Sequence, residues 1–445
     1  MTFLKKIFLP ICLIASLLIL IYTFYKSEIY WNGKKSDYYF TYYVVSFLLI
    51  FFSFITFFLS QKIKEYLIIS GISLIVSLYV FEGYLTFKEQ LSKEQVSKNQ
   101  LLKERLYEKE TSEKYDTRTK KEVYEDLKRV NNEISVFVPP ASYLNENYPI
   151  FPLSSISNSE TVFCNENGYY PIYQSDRYGF NNPDEEWNNK EIEYLLVGDS
   201  YAQGACVNRP NDIASVLRAL SNKSALNLGY GGNGPLIEYA TLREYFNSNV
   251  KKVLWIYYEG NDLEDLDFEI RNKILRNYLD DLAFTQNLKI KQSEIDKLVK
   301  SIVEKEMEKI KVDLISIIKL NKTRLQLSLY LPSKNQPQPS QTQLELKKIL
   351  RLANNFTIKN DSKLYFVYLP SYGHYKVNYK VDYKINYNLI KKIVNELNIP
   401  FIDINREVFE KERNPLKLFP FEMPGHYNVE GYKKVADTIY KFTKD

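Results

Sequence analysis

From residue 192 onward the chain alternates short unbroken apolar runs with stretches whose apolar residues recur at helical spacing, and few folds accept that alternation. The runs are IEYLLV, SALNL, KVLWIYY, KLYFVYL and PFIDI. Helical stretches lie near residues 213–220, 237–245 and 385–397, and a last one begins near residue 428. Strands covered on both faces read as continuous apolar runs, and parallel pairing needs a crossover between successive strands. The expectation is a layered α/β domain with a parallel sheet over residues 191–445. Between its third and fourth strands, residues 263–344 form a Lys/Glu-rich, mostly helical insertion ending in SKNQPQPSQTQ, read either as a cap over the site or as a solvated hairpin.

The apolar residues outside this domain are concentrated in the first 87 positions. Residues 7–25 carry no charge, lie between Lys5–Lys6 and Lys26, and match the hydrocarbon thickness of a bilayer. Residues 38–61 are a second uncharged run, with tyrosines at its start as in an interfacial belt. A third, residues 66–87, carries Glu82, expected near the membrane surface or in the interface. A transmembrane anchor of about three helices is therefore expected over residues 1–87. Lys5, Lys6, Lys62 and Lys64 favour a cytoplasmic amino terminus, which after three crossings exports the remainder; Lys26, Lys34 and Lys35 nearly balance them. Residues 88–135, dense in Lys, Glu and Gln and without Gly or Pro, read as a helical stalk until Pro139 and Pro140. Residues 136–190 read as an irregular lead-in with short strands.

Charge and cysteine content narrow the partners. A net charge of +5 over 445 residues, with lysines and acids interleaved, gives no basic patch that would bind nucleic acid. His374 and His426 are the only histidines, too few for a histidine-built metal cluster, and no cofactor or metal is expected. Cys12 lies in the first apolar run; Cys164 and Cys206 either pair, which suits an oxidising compartment, or remain two buried thiols.

The first strand runs into GDSYAQG, placing Asp199 and Ser200 at the carboxyl end of a parallel strand, where open α/β sheets bind ligands. A serine hydroxyl is a weak nucleophile until a neighbouring base takes its proton and donors meet the developing oxyanion. NLGYGGNGP after the second strand and EGNDLEDL after the third bring Gly232 and Asn261 to the same edge as donors; PGHYNVEGY returns His426 as base just before the last helix. Asp199 and Asp262 are read as turn-supporting acids, and Gly229, Gly231 and Gly234 as turn glycines. His374, in LPSYGHYKV, is expected at the surface, and SDRYGFNNPDEEW either lines the site or serves as structural lead-in.

In this order the four segments resemble the SGNH (GDSL-like) hydrolase superfamily, over roughly residues 190–445. The resemblance implies a three-layer α/β/α, flavodoxin-like domain whose Ser200 attacks an ester carbonyl. It also implies that His426 activates the serine and that the Ser200 and Gly232 N–H groups and the Asn261 side chain hold the oxyanion. Where the family carries an aspartate three residues before the histidine, this chain has Met423; Glu422 or a backbone carbonyl would orient the imidazole. Three functions fit: an esterase acting on acyl esters of an envelope glycan or lipid, an O-acyltransferase using the same chemistry, and a carbohydrate-binding protein without turnover. Oligomeric state is not legible.

Overall fold

The computed structural model describes residues 2–30, 33, 36–144, 146, 148–308, 320–330, 339–376 and 383–444. Residues 333–338 of SKNQPQPSQTQ lie outside them. The chain divides into two compact units, Met1–Gln95 with Val312–Pro332, and Val96–Lys311 with Ser333–Asp445.

In the first unit, α1 (Thr2–Phe24), α2 (Ser36–Ile55) and the start of α3 (Gln61–Thr111) follow the three apolar runs. Two helical segments, Cys12–Tyr30 and Gln61–Lys88, are long and apolar enough to cross a membrane. The second run gives a shorter apolar helix, Tyr39–Ile55, because the chain passes into a 3-10 turn at Thr56–Phe58. Glu82 is 1% exposed and accepts hydrogen bonds from the backbone N–H groups of Lys322 (3.2 Å) and Thr323 (2.7 Å) and from the Thr323 hydroxyl (2.7 Å). Its charge thus meets the unpaired N–H groups at the start of the helix Asn321–Tyr330, a favourable place for an anion.

The third apolar run and the expected stalk form one helix, α3, which ends at Thr111. A second helix, α4 (Lys120–Lys128), starts on a capping box in which Thr119 and Glu122 bond each other's backbone N–H. The lead-in holds a three-stranded sheet: β1 (Ser135–Val136) is parallel to β2 (Glu160–Val162), which is antiparallel to β3 (Ile172–Gln174).

The five apolar runs form β4 (Ile192–Gly198), β5 (Ala225–Asn227), β6 (Val250–Tyr258), β7 (Lys363–Leu369) and β8 (Phe401–Asp403), an all-parallel sheet in the order β5-β4-β6-β7-β8. In chain order that is 2-1-3-4-5, the flavodoxin-like arrangement, whose switch point lies between the first and third strands. Leu195 pairs with Val253 and Val197 with Trp255, so alternate residues face opposite layers. Leu195, Val197 and Trp255 pack with α7 (Pro235–Tyr245) and the helices Pro339–Lys359 and Tyr383–Glu396. Tyr194, Leu196 and Ile256 pack with α6 (Ile213–Ser221) and the helix Val429–Thr443. Each fully buried large side chain contributes about 1.5–3 kcal/mol over an exposed one, so the three-layer α/β/α core fixes the strand ends that carry the motifs.

Candidate active site

Val197 and Gly198 end β4 inside the core, and Asp199 caps the short helix α5 (Ser200–Gln203) by accepting from the Tyr201 N–H at 2.9 Å. Ser200 is thereby held at the switch point, with its Oγ 2.8 Å from His426 Nε2. His426 arrives from the loop before the last helix. It packs against the Tyr201 ring at 4.9 Å between centroids, and Tyr201 itself stacks on Tyr258 and donates to the Gly425 carbonyl at 3.3 Å.

The other imidazole nitrogen meets Glu166, not Glu422. Nδ1 lies 3.1 Å from Glu166 Oε1, and the His426 backbone N–H donates to Glu166 Oε2 at 2.5 Å. Glu422 is exposed, and its carbonyl accepts from the Tyr372 hydroxyl. The expectation of an acid close in sequence to the histidine is therefore corrected. The loop after Pro420 carries two residues with positive φ, Phe421 and Glu422, and the orienting carboxylate comes from the lead-in instead. A side chain on Gly425 would put its Cβ 2.6 Å from Glu166 Oε2, so it would push aside the carboxylate that accepts from the next residue's N–H.

A disulfide, Cys164–Cys206, explains how Glu166 gets there. It ties the segment two residues before Glu166 to the segment six residues after Ser200, closing a loop of 42 residues, and Asn167 Nδ2 adds a 2.8 Å bond to the Cys206 carbonyl. The only sequence signal for Glu166 was this pairing, because a bridge to position 206 brings residues near 164 beside the serine. A loop of that length should stabilise the fold by about 4 kcal/mol in the chain-entropy account. Changing both cysteines to serine is expected to lower the melting temperature of the second unit by several degrees and reduce turnover at least tenfold. Calorimetry and kinetics on the purified double variant measure both, and an unchanged melting curve would refute the stabilising role.

In the loop after β5, Gly232 adopts φ +78°, a left-handed conformation that disfavours any residue with a side chain, and its N–H bonds no group among the described residues. The loop is laced to the Ser200 helix: the Gly231 N–H donates to Gln203 Oε1 at 2.7 Å, and Asn227 Nδ2 donates to the Ala202 carbonyl at 2.7 Å. Asn261 precedes α8 (Asp262–Glu269) and donates through Nδ2 to Asp265 at 2.6 Å. The SDRYGFNNPDEEW segment is a brace. Buried Asp176 accepts from Asn182 and Trp187, Asn182 bonds the backbone of Asn227 in both directions, and Asn181 bonds the Gln203 carbonyl. His374 is not a free surface group; its side chain is 15% exposed and Nδ1 lies 3.0 Å from buried Glu259.

Charge is arranged unevenly. Burial works against a protonated His426, but the Glu166 carboxylate and its hydrogen bond, with Asp199 behind, outweigh it and raise the imidazole above its ordinary 6.5. Burial likewise pushes Glu166 up, but His426 outweighs that and holds the carboxyl below its ordinary 4.5. Burial raises Asp199 to about 6 against the bond from the Tyr201 N–H. Beneath it, Glu238 is buried with neither carboxyl oxygen bonded among the described residues. Burial, then the neighbouring Asp199 and Glu269, push it well above 4.5. Because these surroundings favour the uncharged form, Glu238→Gln should leave turnover within twofold and stability within about 1 kcal/mol; urea unfolding that finds a larger loss would show that the site needs the carboxyl group.

A cavity of about 380 Å³ is lined by Tyr107, Asn167, Tyr169, Phe421 and Asn428, and neither Glu166 nor His426 lines it. Another of about 380 Å³, between Tyr124, Lys128, Asp296 and Lys300, includes none of the motif residues. Glu166, Cys206 and His426 present ligand atoms close together, but the Cys206 sulfur is in the disulfide and the imidazole serves Ser200, so the donor set does not suit a metal.

No family model matches the chain, and no curated protein matches it. Solved structures do. A lipolytic protein of the G-D-S-L family from Desulfitobacterium hafniense is 12% identical over 56% of this chain and 99% of its own, with a TM-score of 0.33. An acetyl xylan esterase, AlAXEase, is 13% identical over 56% and 99%, with a TM-score of 0.34. A catalytic mutant of an acetylxylan esterase from Geobacillus stearothermophilus is 13% identical over 57% and 94%, with a TM-score of 0.31. The second unit's own parallel sheet, in the order β5-β4-β6-β7-β8, has the flavodoxin-like α/β arrangement.

Proposed function

We propose that this chain is a membrane-anchored serine esterase that cleaves acyl esters of a cell-envelope glycan or lipid. The observation that carries the reading is one imidazole bonded on both sides, Nε2 to the Ser200 hydroxyl at 2.8 Å and Nδ1 to the Glu166 carboxylate at 3.1 Å. In this reading Ser200 Oγ attacks the ester carbonyl as Nε2 takes its proton, and Glu166 holds the imidazole in the required tautomer and stabilises the imidazolium. The Ser200 and Gly232 N–H groups and Asn261 Nδ2 receive the oxyanion. The proton then passes to the departing alcohol, and water, activated by the same histidine, releases the acid and restores Ser200.

Anchoring is supported by the two spanning-length helices and by outward-facing Phe47, Phe51 and Phe52 on α2, a surface suited to lipid. The disulfide supports an exported catalytic unit, since such bonds persist in oxidising compartments. The test is direct: the purified chain in detergent should hydrolyse a short-chain aryl acetate, and a fluorophosphonate should add its mass to the peptide carrying Ser200. A chain that is labelled but transfers acetyl to an added sugar faster than to water would be an acyltransferase; one that is neither labelled nor active would be a binding protein.

A further inference from the structure

Helix α8 carries three polar residues four positions apart, Asn261 at its cap, Asp265 and Glu269, and residues spaced by four share one helix face. Asp265 returns to Asn261 twice: its N–H donates to the Asn261 carbonyl at 2.8 Å, and its carboxylate accepts from Asn261 Nδ2 at 2.6 Å. An amide nitrogen has two hydrogens, so the bond to Asp265 holds one and leaves the other available to donate. Glu269, fully buried, accepts from the N–H groups of Gly234 (2.5 Å), Leu236 (2.9 Å) and Ile237 (3.3 Å), the turn that follows Gly232 and starts α7. A Cβ on Gly234 would lie 2.8 Å from Asp265 Cβ and 2.9 Å from Glu269 Oε1, so the two acids and the loop are in direct contact.

We propose that Asp265 and Glu269 are positioning residues of the esterase proposed above, the first fixing the Asn261 amide and the second the Gly232 loop, so that one helix sets the spacing of two oxyanion donors. The simpler role, capping α7 for stability alone, predicts a different outcome. Donors that act on a developing charge affect the transition state and not the bound ester, and a displacement of about 1 Å can cost a hundredfold in rate. A stability role leaves the rate of the folded fraction untouched.

The experiment compares Asp265→Ala, Glu269→Gln and the control Glu264→Gln, an exposed position on the same helix, in the purified full-length chain. The expected result is a kcat for aryl acetate lowered about 10–100-fold in the first two, with KM within threefold. Affinity for a trifluoromethyl ketone, which forms the oxyanion covalently, should fall in parallel, and Glu264→Gln should match the parent. Unchanged kcat in folded Asp265→Ala overturns the Asn261 part, and so does a loss carried by KM alone. Amide exchange over residues 232–237 reads the Glu269 part without turnover. At least tenfold faster exchange in Glu269→Gln supports it, and unchanged exchange overturns it. A parent that neither hydrolyses esters nor takes the fluorophosphonate defeats the esterase reading, and the exchange result still decides whether Glu269 holds the loop.

Discussion

Replacing Ser200 by Ala is expected to lower kcat/KM for an aryl acetate by about 10⁶, the loss typical when the nucleophile of a serine–histidine pair is removed. The reason is in the geometry. Ser200 Oγ lies 2.8 Å from the base and 3.2 Å from Asp199 Oδ2, and no other hydroxyl is hydrogen-bonded to His426 among the described residues. His426→Ala should cost nearly as much, and the double variant little more than either alone, because the two act as one unit. The residual rate, about 10³–10⁴ over water, would come from the oxyanion donors and binding. Folding should be almost unaffected, since the Ser200 side chain fills no core volume, so matching melting curves with activities six orders of magnitude apart is the expected pattern. A Ser200→Ala protein keeping a tenth of the parent rate would remove Ser200 from the mechanism.

Glu166→Gln is expected to lower the plateau rate by about 10²–10⁴, on the scale seen when the orienting acid of a catalytic triad is made neutral and the wrong tautomer is favoured. Its second effect is on pH. The base works only as neutral imidazole, and Glu166 holds the His426 pKa above 6.5 against burial, so the parent's kcat/KM should rise with pH through an inflection above 6.5. Without the carboxylate, burial dominates and the inflection should move down. Stability follows the same pair. The lowered Glu166 contributes fully above 4.5 and loses its contribution as pH falls through its folded pKa; the raised His426 contributes fully below 6.5 and loses it as pH rises through its own. The parent should thus owe most to this pair between about pH 4.5 and 6.5, and Glu166→Gln should flatten that region of its stability profile. An unmoved inflection would exclude Glu166 as the partner, whereas Glu422→Gln should change neither profile.

The alternation of apolar runs determined the parallel sheet, because only a strand covered on both faces tolerates an unbroken run such as IEYLLV. The glycines and the asparagine that follow strand ends pointed to the carboxyl edge of the sheet, since residues just past parallel strands emerge on one side of it. His426 was legible as one of only two histidines, lying just before the closing helix.

The tertiary structure alone decided which acid serves that histidine. Glu166 lies 260 positions from His426, and nothing local distinguishes it from the chain's many other glutamates. It becomes the partner because a disulfide carries its loop across the serine helix and because Gly425 leaves room for a carboxylate. Only packing placed Glu82 against the backbone of Thr323, 241 positions away. Periodicity reports which face of an element is covered, a local property; which charged group meets which is set by the closing of long loops, and that appears in no window of sequence.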